Sequence, residues 1–315
     1  METLQPTRWH DQSAWALESE ALRVVIVPAL GAKIVSLVDR KANFEWLVGP
    51  MRPLRPAPYG ASFVDQDMSG WDEMFPTINA CDYPAPGPFH GRHLPDHGEV
   101  WPLPWTCESA EAVLTCHVAG RALPYRLTRT ARLPSPDALQ LDYAAENTGA
   151  EPFHYLWAAH PQFTADADTQ IVLPDQVTQV YNVVEAGPWG KAGTLYSWPQ
   201  TTTSDGTAWQ LDRIGPASRH ACRKFYTLPT QPVSWGALVN RRAGRGLRLE
   251  WPAETVPFLG LWVDEGTYNA APTAALEPSS GFYDSLVRAY DNRQAAELAP
   301  GQQHSWTLTV RLTSA

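Results

Sequence analysis

His304-Ser305-Trp306-Thr307-Leu308-Thr309-Val310-Arg311-Leu312 alternates without a break. Trp306, Leu308, Val310 and Leu312 fall on one side of an extended chain, and Ser305, Thr307, Thr309 and Arg311 fall on the other. Successive side chains of a strand point to opposite faces, so this period of two predicts a strand with one face in a core. The pattern recurs along the chain. Residues 112–119 put Ala112, Leu114, Cys116 and Val118 on one side, and 137–147 do the same with Leu139, Leu141, Tyr143 and Ala145. Residues 21–27 read as a strand that stops at Pro28. Gly31 turns the chain, and 33–39 read as the hairpin partner. Turn clusters such as Pro134-Ser135-Pro136-Asp137 and Asn147-Thr148-Gly149 separate the strands. Helical periodicity is nearly absent, with one short candidate at 284–291. With no fixed repeat and no linker, the reading is all-β: one large antiparallel domain over 1–315 with very little helix.

Composition agrees. Of 315 residues, 44% are hydrophobic and 18% charged, enough for a large core and against global disorder. The 29 prolines disfavour a helical protein, since each interior Pro costs a helix about 3 kcal/mol. The balance of 24 basic and 33 acidic residues, net charge −9, includes no basic stripe, so no nucleic-acid partner is expected. No apolar run approaches the roughly 18 residues of a membrane span, and Met1 to Asp11 is polar, without a signal-type apolar stretch. The four cysteines, Cys81, Cys107, Cys116 and Cys222, are scattered with no CxxC pair. Neither a disulfide framework nor a zinc ribbon is expected, and a cytoplasmic setting is.

The stretch 64–105 has little strand character and reads as a long loop, the usual place for function in a compact domain. It holds Trp71, Asp72, Trp101, Trp105 and three histidines: His90, His93 and His97. Two His at i, i+4 share a face only on a helix, and Gly91, Pro95 and Gly98 oppose one. No metal is therefore expected; the alternatives are solvated loop histidines or one His aimed into a cleft. No GxSxG, GxxxxGK, GxGxxG or HExxH motif occurs, so serine nucleophiles, NTP hydrolysis, dinucleotides and zinc-protease chemistry lack their signals. His160 ends an apolar stretch just before Pro161, which places it at a strand end on a sheet rim. Glu277 lies in the apolar run Ala274-Ala275-Leu276-Glu277-Pro278, and a carboxylate there needs partners or a function. Among 14 tryptophans, each is either core or a flat face for a sugar ring.

Gly70-Trp71-Asp72-Glu73-Met74-Phe75-Pro76, Asp96-His97-Gly98-Glu99-Val100-Trp101, Asn147 with Trp157-Ala158-Ala159-His160-Pro161, and Leu276-Glu277-Pro278 follow in an order that resembles the aldose 1-epimerase (galactose mutarotase-like) family. The opening hairpin at Gly31–Leu37 fits as well, so the resemblance spans nearly the whole chain. It implies an antiparallel super-β-sandwich and sugar mutarotation without metal or cofactor. By the resemblance Glu277 matches the general base, His160 the general acid, and His97 a second His at the ring oxygen. Asp96-His97-Gly98-Glu99 stands where the family has Asn-His-x-His-Gly-Gly, which points to a divergent branch. Lys224 takes a sugar-facing place, and Trp71, Asp72 and Trp101 join it as substrate-binding candidates. The implied partner is a small sugar, with the chain a monomer or homodimer.

Three rival readings stand beside this one. A hydrolase or lyase needs two carboxylates about 5–9.5 Å apart, which Glu277 could form with Asp264 or Asp284. A hexose-phosphate epimerase needs arginines at the pocket, with Arg92 and Arg129 as candidates. A non-catalytic sugar-binding protein would rest on the tryptophans alone.

Overall fold

A computed structural model describes residues 2–185 and 187–314. The strands build two large antiparallel sheets. The larger has thirteen strands, and its central path runs Leu22–Val27, Lys33–Asp39, Trp71–Met74, Ala158–Pro161, Thr273–Ser279, Phe258–Glu265, Ala221–Thr227. The other has eight, with Gln303–Thr313, Ala138–Asn147 and Tyr125–Ser135 side by side at its middle. Among the described residues the one α-helix is Leu286–Asp291, where the sequence allowed one. The hairpin expected at 21–39 forms between Leu22–Val27 and Lys33–Asp39. The runs at 112–119, 137–147 and 304–312 are strands of the eight-stranded sheet.

The core lies where the alternation put it. Leu139, Leu141, Tyr143 and Ala145 join Trp306, Leu308 and Val310 in one buried cluster with Trp71, Phe225, Leu261 and Leu276 of the larger sheet. Burying each such side chain contributes about 1.5–3 kcal/mol before entropy is counted. One polar group crosses this apolar layer. Glu73, fully buried, accepts hydrogen bonds from Arg129 Nη1 at 2.8 Å and Tyr143 Oη at 2.8 Å, and from Trp157 Nε1 at 2.9 Å. Arg129 and Tyr143 belong to the opposite sheet, so this network ties the two sheets together. Arg129 also bonds the Ala32 carbonyl, and its guanidinium lies over the Trp105 ring at 5.6 Å.

Two expectations fail. The stretch 64–105 is not one long loop, because Trp71–Met74 is a strand inside the larger sheet, and Cys81–Asp82 pairs with His93–Leu94. A strand buried on both faces shows no alternation. Here all four of Trp71, Asp72, Glu73 and Met74 are buried, and two carboxylates disguise the run further. The cysteines also differ from the reading, since Cys107 and Cys116 form a disulfide. Nine residues apart in sequence, they stand directly opposite each other once Thr106–Ala110 and Val113–Ala119 pair as a hairpin, with Cα atoms 4.0 Å apart. Among the described residues no helix is long and apolar enough to cross a membrane.

Removing one partner of a buried ion pair strands the other charge, which typically costs about 3–5 kcal/mol. Arg129→Met should therefore lower the unfolding free energy by about that amount in urea titrations. A midpoint equal to that of the unaltered protein would show that the pair does not hold the sheets together.

Candidate active site

The register of the larger sheet lines up one row of polar side chains across its strands. Asp72 stands opposite His160, Glu277 opposite Gly260, and Gly260 opposite Tyr226. The Ile34–Trp71 pair puts Lys33 next to Asp72, and their charged groups are 3.0 Å apart. His160 and Glu277 close the row in an unusual way. The pairs Ala158–Ser279 and Phe163–Ala274 share one register, so residue 160 faces residue 277. Between those pairs the ladder lapses, because Pro161 and Pro278 have no N–H to donate. Proline is normally confined to sheet edges or bulges. Here two prolines open the middle of the sheet and leave His160 Nε2 3.9 Å from Glu277 Oε1. His160 therefore sits at the centre of the sheet and not at its rim.

Above this row lies a cavity of about 180 Å³. Its lining includes His97, His160, Lys224, Trp262, Asp284 and Met68. That is smaller than the roughly 300 Å³ at which drug-sized sites begin, and suits one small ligand. His97 comes from a tight turn. Both His97 and Gly98 have positive φ, and a Cβ on residue 98 would strike the Phe75 carbonyl, so glycine is required there. Asp96 Oδ1 holds the His97 Nδ1 at 2.8 Å, while its Oδ2 accepts the Phe63 N–H at 2.8 Å. Phe63 then stacks on His97 at 4.1 Å and meets His160 edge-on at 5.2 Å. Burial would raise the Asp96 carboxyl, but the His97 and Phe63 hydrogen bonds outweigh it and hold the group low. His90 and His93 point elsewhere and are exposed, with His93 beside Asp82. Among the described residues no group of three or more His, Cys, Asp and Glu side chains is placed to hold a metal ion.

Glu277 is the most unusual group. It is fully buried, and its Oε1 has no hydrogen-bond partner. The Lys224 ammonium lies 2.8 Å from Oε2 and forms an ion pair with it. Burial pushes the Glu277 carboxyl up to about 7, against the pull of Lys224 and with help from Asp284. Lys224 lies 3.1 Å from Asp284 as well, and burial, which favours the neutral amine, loses to the two carboxylates, so its pKa is raised. His160 is held well below the usual histidine range, first by burial and then by the charges around it. Gly260 leaves room for this arrangement. A Cβ there would come within 3.3 Å of Glu277 Oε2 and 3.2 Å of Tyr226 Cζ.

The sequence candidates thus divide. His97, His160, Lys224 and Glu277 converge. Trp71 does not wall the cavity; it faces the inter-sheet core, fully buried, edge-on to Phe163. Trp101 stands one layer back, edge-on to Phe63 at 5.1 Å, and its Nε1 donates to the Asp96 carbonyl. Asp72 is spent on Lys33, and burial pushes its carboxyl up to about 6. Asp264 caps a loop by accepting the Thr267, Tyr268 and Asn269 N–H groups. Arg129 lies in the core network, and Arg92 is exposed on the Ala122 carbonyl. Sequence reasoning passed over Phe63, Trp262 and Gly260. Phe258–Glu265 is buried on nearly every residue and shows no alternation, so only its register sets Gly260 and Trp262 on the Glu277 side.

Neither a family model nor a curated relative matches the sequence. Solved structures match in shape. An Escherichia coli K12 protein, provisionally named an aldose 1-epimerase, is 16% identical with a TM-score of 0.69, over 100% of both chains. A galactose mutarotase-like protein from Lactobacillus casei ATCC 334 is 15% identical with a TM-score of 0.70, over 95% of this chain and 100% of that one. A galactose mutarotase related enzyme from Lactobacillus acidophilus is 14% identical with a TM-score of 0.67, over 96% and 97%. This chain has the galactose mutarotase-like fold.

Lys224 is the one group among its neighbours that draws the Glu277 pKa down. In Lys224→Met the Glu277 carboxyl should titrate above 7, as read by NMR of carboxyl-labelled glutamate. An unmoved or lowered titration would mean that the ion pair does not set the charge of Glu277.

Proposed function

We propose that this chain is an aldose 1-epimerase-like sugar mutarotase, an isomerase that interconverts the α and β anomers of a small aldose. The observation that carries this reading is the buried Glu277 carboxylate, whose Oε1 has no hydrogen-bond partner, 3.9 Å from His160 and 2.8 Å from Lys224, two residues that line a cavity for a small molecule. A buried carboxylate oxygen left without a donor is costly, and a substrate hydroxyl supplies the missing one.

Mutarotation moves two protons. Glu277, as base, takes the proton from O1 while His160 donates to the ring oxygen. The C1–O5 bond opens, the aldehyde end turns, and the ring closes on the other face as both protons return. His97, fixed by Asp96 and Phe63, orients the ring oxygen beside His160. Lys224 charges one end of Glu277 and offers N–H donors to the sugar. Trp262, in the cavity wall, offers the flat face that Trp71 and Trp101 do not. The ordinary pKa values, about 4.3 for Glu and 6.5 for His, would put the proton on the imidazole at mildly acidic pH. Burial inverts that preference here, so His160 works as a neutral imidazole N–H donor, a form that neutral histidines take in other isomerases.

The rivals have less support. A phosphorylated sugar needs a free cation. Arg92 and Arg129 lie away from the cavity, and Arg223 at its edge is committed to Glu265 and the Arg213 carbonyl. For a hydrolase, Glu277 and Asp284 are near each other, but the Lys224 ammonium stands against both.

Glu277→Gln keeps the shape and loses the base, so polarimetric mutarotation of fresh α-glucose or α-galactose should fall by about 10²–10⁴-fold. Wild-type rates in that variant, or no catalysed rate in the wild type with any aldose tried, would end the reading. The pH profile follows from the sign of the shift. The Glu277 base is present above about 7 and is lost as pH falls through that value, so kcat/KM should rise through about 7. A decline through 7 would mean instead that Glu277 and His160 work as a carboxylate–imidazolium pair holding one proton.

A further inference from the structure

The proposed chemistry creates a hazard that one cluster in the site is built to meet. Opening an aldose ring exposes an aldehyde, and an aldehyde beside a lysine amine forms an imine. Lys224 lines the same cavity as His160 and His97. It is one of four lysines in the chain, with Lys33, Lys41 and Lys191. Lys41 and Lys191 are exposed, and Lys33 is buried against Asp67 and Asp72. Of these four, Lys224 is the one on the wall of the cavity.

The groups around its Nζ come from three elements. Glu277 Oε2 from Thr273–Ser279 is at 2.8 Å, and Asp284 Oδ1, just before the short helix, is at 3.1 Å. Tyr226, two residues along the strand of Lys224, donates its hydroxyl to the same Asp284 oxygen at 2.7 Å and fixes it. His160 stands behind Glu277. Asp284 is 4% exposed and has no other side-chain partner among the described residues. The base Glu277 needs one countercharge, and the second carboxylate is not required for that. Its effect on Glu277 is in fact unfavourable, since it opposes ionisation.

We propose that Asp284 is a positioning residue that holds Lys224 as an ammonium, so that the open-chain aldehyde meets a hydrogen-bond donor and not a nucleophile. The inference rests on the mutarotase reading for its purpose, but its chemistry is tested separately. With Asp284 in place the nitrogen lone pair carries a proton and cannot attack. Without it, burial, which favours the neutral amine, is opposed by Glu277 alone. The amine lone pair would then bond the aldehyde carbon, the carbonyl oxygen would leave as water, and an imine would remain. Cyanoborohydride delivers hydride to the protonated imine carbon and locks it as a secondary amine.

The experiment uses the full chain, glyceraldehyde as the probe aldehyde and sodium cyanoborohydride at pH 9, with peptide mass mapping. Labelling of Lys41 and Lys191 gives the internal reference. Relative to these, Lys224 labelling should rise by about tenfold or more in Asp284→Asn, since each unit of amine pKa changes the reactive fraction tenfold. It should rise further in Asp284→Asn/Glu277→Gln and return to the wild-type level in Asp284→Glu. Near-UV circular dichroism checks that each variant is folded. Equal Lys224 labelling in all four proteins would overturn the proposal. So would an unlabelled Lys224 in the folded double variant while Lys41 and Lys191 react. Failure of the wild type to mutarotate any aldose would overturn the function and leave the labelling result as it stands.

Discussion

The pleat of one four-residue strand governs this molecule. Trp71–Met74 is buried on both faces in the middle of the larger sheet, and adjacent residues of a strand must point to opposite sides. Asp72 therefore goes to the polar row and Glu73 to the core between the sheets. Each carboxylate meets a buried cation, Lys33 for Asp72 and Arg129 for Glu73. The two pairs serve different ends. Glu73 is saturated by Arg129, Tyr143 and Trp157, as a structural network must be to be tolerated in a core. Asp72 keeps one oxygen without a partner and carries the row toward His160.

The same contrast separates Glu277 from Glu73. Both are fully buried acids in apolar strands, and burial raises both carboxyls. Glu73 is held by three donors. Glu277 has an ammonium at Oε2, no partner at Oε1, and a cavity beyond His160. A group with unused hydrogen-bonding capacity in a low-dielectric site interacts strongly with whatever enters. That difference in satisfaction, and not burial itself, distinguishes the Glu277 carboxylate from that of Glu73.

The paired prolines give the site its opening. Pro161 and Pro278 flank His160 and Glu277 in sequence, and neither can donate to the ladder. The strands stay in one register on both sides of the gap. The sheet thus keeps its alignment while the His160 and Glu277 side chains face each other without a backbone hydrogen bond between their strands. On the other side, Gly260 withholds a side chain where any Cβ would crowd Glu277 and Tyr226.

The strands with one wet face were legible in sequence, because alternation follows directly from the pleat. Residues 304–312 and 137–147 show it; the hairpin at 21–39 is buried on both faces and was legible through Pro28 and Gly31 instead. Glu277 and His160 were legible too, through an acid and a His-Pro in apolar runs and through family resemblance. The strand Trp71–Met74 was not, since burial on both faces erases the period. The Cys107–Cys116 pairing was not, since only hairpin closure brings residues nine apart face to face. The placement of Asp284 against Lys224 and the displacement of Trp71 and Trp101 from the cavity were likewise decided by the tertiary structure. A sequence specifies which side of its own strand a residue occupies. Which groups then share that side across neighbouring strands depends on register, and register is a property of the assembled sheet.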